Sequence, residues 1–331
     1  WSWSPCGTRI AFRYENGFVI FDQRLGPRRF NNVPGIRMIA GLGHSPDGRF
    51  LVSNGFDGFV RLWDSTGNFE QLQEWEIRRE IDKVMRVPSV SVSACSQYMV
   101  ASLGTCAFLK DVEKRGKTIK SLILPDHPPT SIHTTMFSSD HRAVFIWGKE
   151  SDLAVMKVWH PYLADDDESR LITLWRQTPD HARQFPVFTY LFSHDKTMVF
   201  IYDTQNKKEG TLCSIDMDHN RLIKKSYISA LTGIDLTGVK PCFTPDDKYI
   251  VYDRTPDDKY IAYDTRPRKT TFWSVAEGKC TNNTLHLLDN GSSKKHHLAV
   301  ESFSPNNQQL IGWKSGNRYI SSFILRRGIG L

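Results

Sequence analysis

An all-β chain built from repeated four-stranded units is what the sequence predicts, and three observations carry that expectation. A turn motif headed by Ser or Thr recurs seven times, its hydroxyl residues standing 41, 48, 45, 55, 51 and 60 positions apart. Each copy runs into a short apolar strand and then into a second strand ending in an aromatic residue or its substitute. Phe, Tyr and Trp make up 12% of the chain, and such side chains fill the half-buried pleated surface of a sheet. Short strands between turn signals, repeated at this spacing, point to a β-propeller. We expect a seven-bladed β-propeller of four-stranded antiparallel blades over residues 1–331. The readable strands stop after the third of the seventh blade, which leaves the last blade open to being incomplete.

The motifs in order are Trp3-Ser4-Pro5-Cys6-Gly7, His44-Ser45-Pro46-Asp47-Gly48, Val92-Ser93-Ala94-Cys95-Ser96 and Phe137-Ser138-Ser139-Asp140-His141. Phe192-Ser193-His194-Asp195-Lys196, Phe243-Thr244-Pro245-Asp246-Asp247 and Phe303-Ser304-Pro305-Asn306-Asn307 complete the set. Pro presets φ for the first corner of a turn, and Asp, Asn and Gly tolerate the later ones, so each motif marks a hairpin. Apolar strands follow at residues 9–13, 50–53, 98–102, 143–147, 198–202, 249–252 and 309–313. The second strands end at Phe21, Trp63, Lys110, Trp159, Ile215, Trp273 and Phe323. Residues 69–84, rich in Glu, Gln, Lys and Arg, read either as a helix in a loop or as a charged outer strand, and we favour the strand.

The distance from motif to aromatic end tests this alignment. It is 18 or 19 residues in the first three repeats and 22 and 23 in the next two, which predicts longer hairpins near 148–152 and 205–210. The sixth repeat spans 30 because 244–254 (TPDDKYIVYDR) is followed at once by 255–265 (TPDDKYIAYDT). Only one copy can serve as second strand, since a register error turns side chains to the wrong face. The other is expected to bulge out, because lengthening a loop costs little.

The best-formed repeat, residues 42–64, carries Ser53, Asp57 and Trp63, and with these it resembles the WD-repeat (WD40) β-propeller family. The resemblance implies that the three side chains belong to a hydrogen-bonded network stapling the blade. The family's His ahead of the repeat is missing, since Pro34 stands there and His44 lies on the first strand. The resemblance also implies a protein- or peptide-binding scaffold, often a sensor or docking domain in a larger multidomain protein. On the turns between second and third strands, Tyr14, Phe56, Gly58 and Lys149 are the candidate binding-face residues, chosen from topology alone.

The chemistry that composition leaves room for is narrow. No nucleophile elbow, phosphate loop, complete dinucleotide turn or zinc-protease motif is present, so we expect no enzyme activity and no cofactor. The six cysteines form no C-x-x-C pair, and scattered free thiols suit the cytoplasm or the nucleus. His296 and His297 are adjacent and point apart on a strand, which makes a poor metal pair. Net charge is +7, but the cations are spread between apolar runs, so nucleic acid is the weaker partner reading. The acidic run Asp165-Asp166-Asp167-Glu168 reads as a solvated loop. No apolar run approaches the ~18 residues that cross a bilayer, so no membrane role is expected. The chain starts at Trp1 inside a strand, and we expect a monomeric domain excised from a longer protein. The alternatives kept open are a propeller accessory to a peptidase-type enzyme and an RNA-binding propeller.

Overall fold

The computed structural model describes residues 1–14, 17–22, 26–30, 39–77, 88–114, 116–124, 130–151, 153–164, 167, 170–177, 188–203, 210–228, 241–254, 269–280, 287–288, 295–296, 298–305, 309–314 and 320–324. Blade 1 comprises β1 (Ser2–Trp3), β2 (Arg9–Tyr14), β3 (Gly17–Asp22) and β4 (Gly26–Phe30). Blade 2 comprises β5 (Ile39–His44), β6 (Phe50–Gly55), β7 (Phe59–Asp64) and β8 (Gln71–Glu76). Blade 3 is β9 (Ser89–Val92), β10 (Tyr98–Leu103), β11 (Cys106–Asp111) and β12 (Lys117–Ile123). Blade 4 is β13 (Thr130–Phe137), β14 (Val144–Glu150), β15 (Leu153–Trp159) and β16 (Leu171–Arg176). Blade 5 has β17 (Phe188–Phe192), β18 (Met198–Asp203), β19 (Gly210–Asp216) and β20 (Arg221–Ile228). Blade 6 has β21 (Cys242–Phe243), β22 (Tyr249–Arg254), β23 (Lys269–Ser274) and β24 (Lys279–Cys280). Each sheet is an antiparallel meander in chain order.

Six four-stranded blades therefore stand where the sequence predicted seven. The seventh motif leads into a three-stranded sheet, β27 (Leu298–Phe303), β28 (Gln309–Lys314) and β29 (Ile320–Ile324). Before it, β25 (Leu287–Leu288) and β26 (Lys295–His296) form a two-stranded sheet of their own among the described residues. Beyond residue 280, strand-forming sequence among the described residues suffices for three paired strands and a two-residue ladder. It does not supply a fourth partner.

Two further expectations resolve at the level of strands. Residues 71–76 form the outer strand β8, and 78–84 lie outside the described residues. The long hairpin expected at 148–152 is instead strand: β14 and β15 pair from Val144↔Trp159 to Glu150↔Leu153. Gly148 permits this, because a Cβ there would collide with the Ser131 carbonyl on β13. Residues 204–209 lie outside the described residues.

The chain divides into two compact units, Trp1–Asp180 and His181–Leu331. Within each, apolar cores lie between successive blades, since a single blade cannot bury its own faces. Ala11, Phe18 and Ile20 of blade 1 pack with Leu51, Trp63 and Phe69 of blade 2. Val52, Val60 and Leu62 of blade 2 meet Met99, Leu103 and Phe108 of blade 3. Val100 and Leu109 meet Val144, Ile146 and Trp159 between blades 3 and 4. In the second unit, Phe200 and Leu212 pack against Phe243, Ile250 and Trp273. No helix among the described residues is long and apolar enough to cross a membrane.

Candidate functional site

The anchor hydroxyls share one environment. Ser4, Ser45, Ser93, Ser138, Ser193 and Thr244 are all buried at the hairpin between first and second strands, and Ser304 is buried too. Ser45 Oγ donates to Asp47 Oδ1 at 2.6 Å and accepts the Phe50 N–H at 2.9 Å. Ser138 with Asp140, Ser193 with Asp195 and Thr244 with Asp246 repeat the 2.6 Å bond. The hydroxyl thus completes the hairpin from inside, which is why the sequence demands Ser or Thr there. Burial alone would raise the Asp47 carboxyl, but hydrogen bonds from Ser45 and Arg49 outweigh it and hold it at about 2. In blades 1 and 3 a thiol takes the carboxylate's place, with Cys6 Sγ 3.3 Å from Ser4 Oγ and Cys95 Sγ 3.2 Å from Ser93 Oγ.

In six of these turns the next residue is left-handed. Gly7 and Gly48 have φ of 69° and 74°, while Ser96, His141, Lys196 and Asp247 have 59°, 53°, 60° and 55°. Two of the non-glycine corners reach the preceding blade: Ser96 Oγ accepts the Asp47 N–H at 3.2 Å. Asp247 accepts the N–H groups of His194 and Asp195 at 2.8 and 3.1 Å.

In blade 2, the Trp63 indole N–H donates to Ser53 Oγ at 2.9 Å, both side chains being buried. Trp159 occupies the matching strand end of blade 4, equally buried, but its indole nitrogen has no hydrogen-bond partner among the described residues. Asp57 does not join Ser53 and Trp63. Its Oδ1 accepts the Phe59 N–H at 3.1 Å, closing the turn, and its Oδ2 lies 2.8 Å from Arg61 Nη1. Arg61 is itself buried, donates through Nε to Glu74 Oε2 at 2.7 Å and lies 5.1 Å from the Phe59 ring centroid. Sequence reasoning missed Arg61. The signal was a lone cation at an inward position of an otherwise apolar strand, directly across from Ser53. Asp57→Ala is expected to cost about 2–3 kcal/mol, less than the loss of a fully buried pair because Glu74 still faces Arg61. Urea unfolding measures it, and a loss below about 1 kcal/mol would show that Glu74 alone neutralises the guanidinium.

The four candidate binding residues are not all in turns. Phe56 and Gly58 lie in the β6–β7 turn, where the Gly58 N–H bonds the Gly55 carbonyl at 3.1 Å and Gly58 has φ 84°. Phe56 is exposed. Tyr14 is the last residue of β2, paired with Gly17, and Lys149 is the exposed penultimate residue of β14, paired with Ala154. Both lie in strands because the ladders run on past them, to Tyr14↔Gly17 and to Glu150↔Leu153. Beside Lys149, Glu150 ion-pairs with Lys157 at 3.0 Å and also with Arg176.

A second group that sequence reasoning left unassigned is His44. Its ring lies between blades 1 and 2, with Nδ1 3.2 Å from Ser2 Oγ. Burial, reinforced by the nearby Arg9 guanidinium, lowers its pKa to about 4. Lys110, near the end of the third strand β11 where blade 2 has Trp63, is buried with its Nζ donating to Thr118 Oγ1 at 2.9 Å. Among the described residues, no group of three or more His, Cys, Asp or Glu could hold a metal ion. His297, Asp165, Asp166 and Glu168 lie outside the described residues.

The fold is that of the WD-repeat β-propellers, four-stranded antiparallel blades with a polar staple in one and buried hydroxyl hairpins in all. Many solved chains are similar to this one, two of which are the following. The β-propeller domain of Cps50 (Swd1) from Myceliophteria thermophila matches with a TM-score of 0.65 at 13% identity, covering 98% of this chain and 95% of that one. A chain of the mitotic checkpoint complex matches with a TM-score of 0.62 at 13% identity, covering 98% of this chain and 88% of that one. No protein-family model matches the sequence, and no curated protein sequence matches it.

Proposed function

We propose that this chain is a non-catalytic scaffold that binds a protein or peptide, as a module of a longer polypeptide. The observation that carries the reading is the division of labour among side chains. Asp57, Arg61 and Glu150 make ion pairs inside their own blades; Phe56 is exposed in the β6–β7 turn and Lys149 is exposed near the end of β14. Aromatic side chains, Phe included, are enriched at protein interfaces, and residues displayed at the ends of a rigid frame commonly carry binding. A similar chain was solved within the mitotic checkpoint complex, which agrees with a role in assembly.

The test is affinity capture with wild-type protein and a Phe56→Ala/Lys149→Glu variant, paired with thermal unfolding of both. The variant is expected to lose a partner that the wild type retains after nuclease treatment, with the unfolding midpoint unchanged. Retention of every partner by the variant would place the interface elsewhere. Loss of all partners on nuclease treatment would favour RNA binding.

A further inference from the structure

We propose that blade 6 holds two interchangeable copies of its second strand, and that exchanging them moves an eleven-residue segment from one end of the blade to the other. The proposal starts from the tandem repeat: 244–254 and 255–265 share nine of eleven residues. The structure seats the first copy. Thr244 closes the hairpin through Asp246 and the Tyr249 N–H, at 2.6 and 3.1 Å. Ile250 and Val251 are buried, Tyr249 meets the Phe272 ring edge-on at 6.1 Å, and Asp247 caps the blade 5 turn. Every residue in that account except Val251 recurs in the second copy, as Thr255, Asp257, Asp258, Tyr260 and Ile261.

The backbone bonds that hold β22 depend on position in the ladder and not on side-chain identity, so they do not choose between the copies. Val251 does. It is 1% exposed, and its counterpart is Ala262, so the first copy buries more apolar surface. A difference of two methyl groups corresponds to a preference on the order of tenfold for the first copy. The only other difference, Arg254 against Thr265, falls at the strand end.

Chain connection allows the exchange in either direction. With the first copy seated, residues 255–268 join β22 to β23. With the second seated, 266–268 suffice for that join, and the extra eleven residues enter the β21–β22 turn instead. In an antiparallel meander those two turns lie at opposite ends of the blade. Loop closure depends weakly on length, so moving the segment changes the balance little. Two packings of nearly equal free energy form a bistable element, and a partner that binds the segment at one end would draw the population there.

Hydrogen exchange of the full chain, read by mass spectrometry on peptides covering 249–254 and 260–265, tests this directly. Wild type is expected to protect the first segment, and the Val251→Ala/Ala262→Val swap is expected to transfer the protection to the second. Protection that stays on 249–254 in the swap overturns the proposal, as does equal protection of both segments in both proteins. Two deletion chains give an independent reading. Removal of 255–265 and removal of 244–254 are both expected to leave the far-ultraviolet spectrum unchanged, with midpoints a few degrees apart. A chain that folds only when 244–254 is kept overturns it.

Discussion

Trp63→Ala is expected to lower the stability of the protein by about 3–5 kcal/mol, the range for truncating a large buried aromatic. The indole is 2% exposed and meets the Phe18 ring edge-on at 5.1 Å across the seam between blades 1 and 2. Its loss opens a cavity that Leu51 and Phe69 cannot both collapse into, because each is fixed by its own strand or turn. It also leaves the buried Ser53 hydroxyl without its donor. Trp63→Phe separates the two contributions. It keeps much of the ring volume and removes the indole N–H, so about 1–2 kcal/mol is expected. Chemical denaturation followed by circular dichroism gives both numbers. A partner lost from Trp63→Ala with no change in the unfolding midpoint would make the indole part of an interface.

Acidification from pH 7 to pH 4 is expected to remove about 3 kcal/mol through His44 alone. The folded pKa of about 4 lies below the ordinary 6.5, so the unfolded chain binds the proton first. Stability is therefore fully present above about pH 6.5, falls as pH drops through the interval, and levels off below pH 4. Around the ring, β2 contributes the cations Arg9 and Arg13, whereas β1, β6 and β9 contribute no charged residue. A proton on His44 thus meets repulsion from Arg9 and no opposing carboxylate on those strands. Asp47, held at about 2, titrates in a separate and lower window. Urea midpoints at pH 7, 5.5 and 4 for wild type and His44→Gln measure the effect. Parallel losses in the two proteins would assign the acid sensitivity to other groups.

The sequence made the hairpins legible because their chemistry is local. A hydroxyl, a carboxylate or thiol two residues on, and a strand N–H five residues on interact within one turn, so spacing alone reveals them. Ser53 and Trp63, ten residues apart on neighbouring strands, were singled out through the resemblance to WD repeats and not by spacing. His44 was not legible, because its environment is set by Ser2 and Arg9, which come from another blade. Arg61 was hidden by its charge, since nothing in a single strand says that a carboxylate from the preceding turn and another from the outer strand will converge on it. The blade count failed where pattern outran pairing: a seventh turn motif is present, but its described strands amount to three.

The left-handed turn corners bear on how far such a chain can drift. Each blade fixes its first hairpin with one buried hydroxyl and one residue of unusual backbone geometry, and that residue need not be glycine. Ser96, His141, Lys196 and Asp247 each carry strain of about 1–2 kcal/mol, which the hairpin's internal hydrogen bonds offset. Substitution elsewhere in a blade then tests only local packing, and the topology survives. Blades specified by so few positions can exchange most of their residues and still superpose, which is the relation found here at 13% identity.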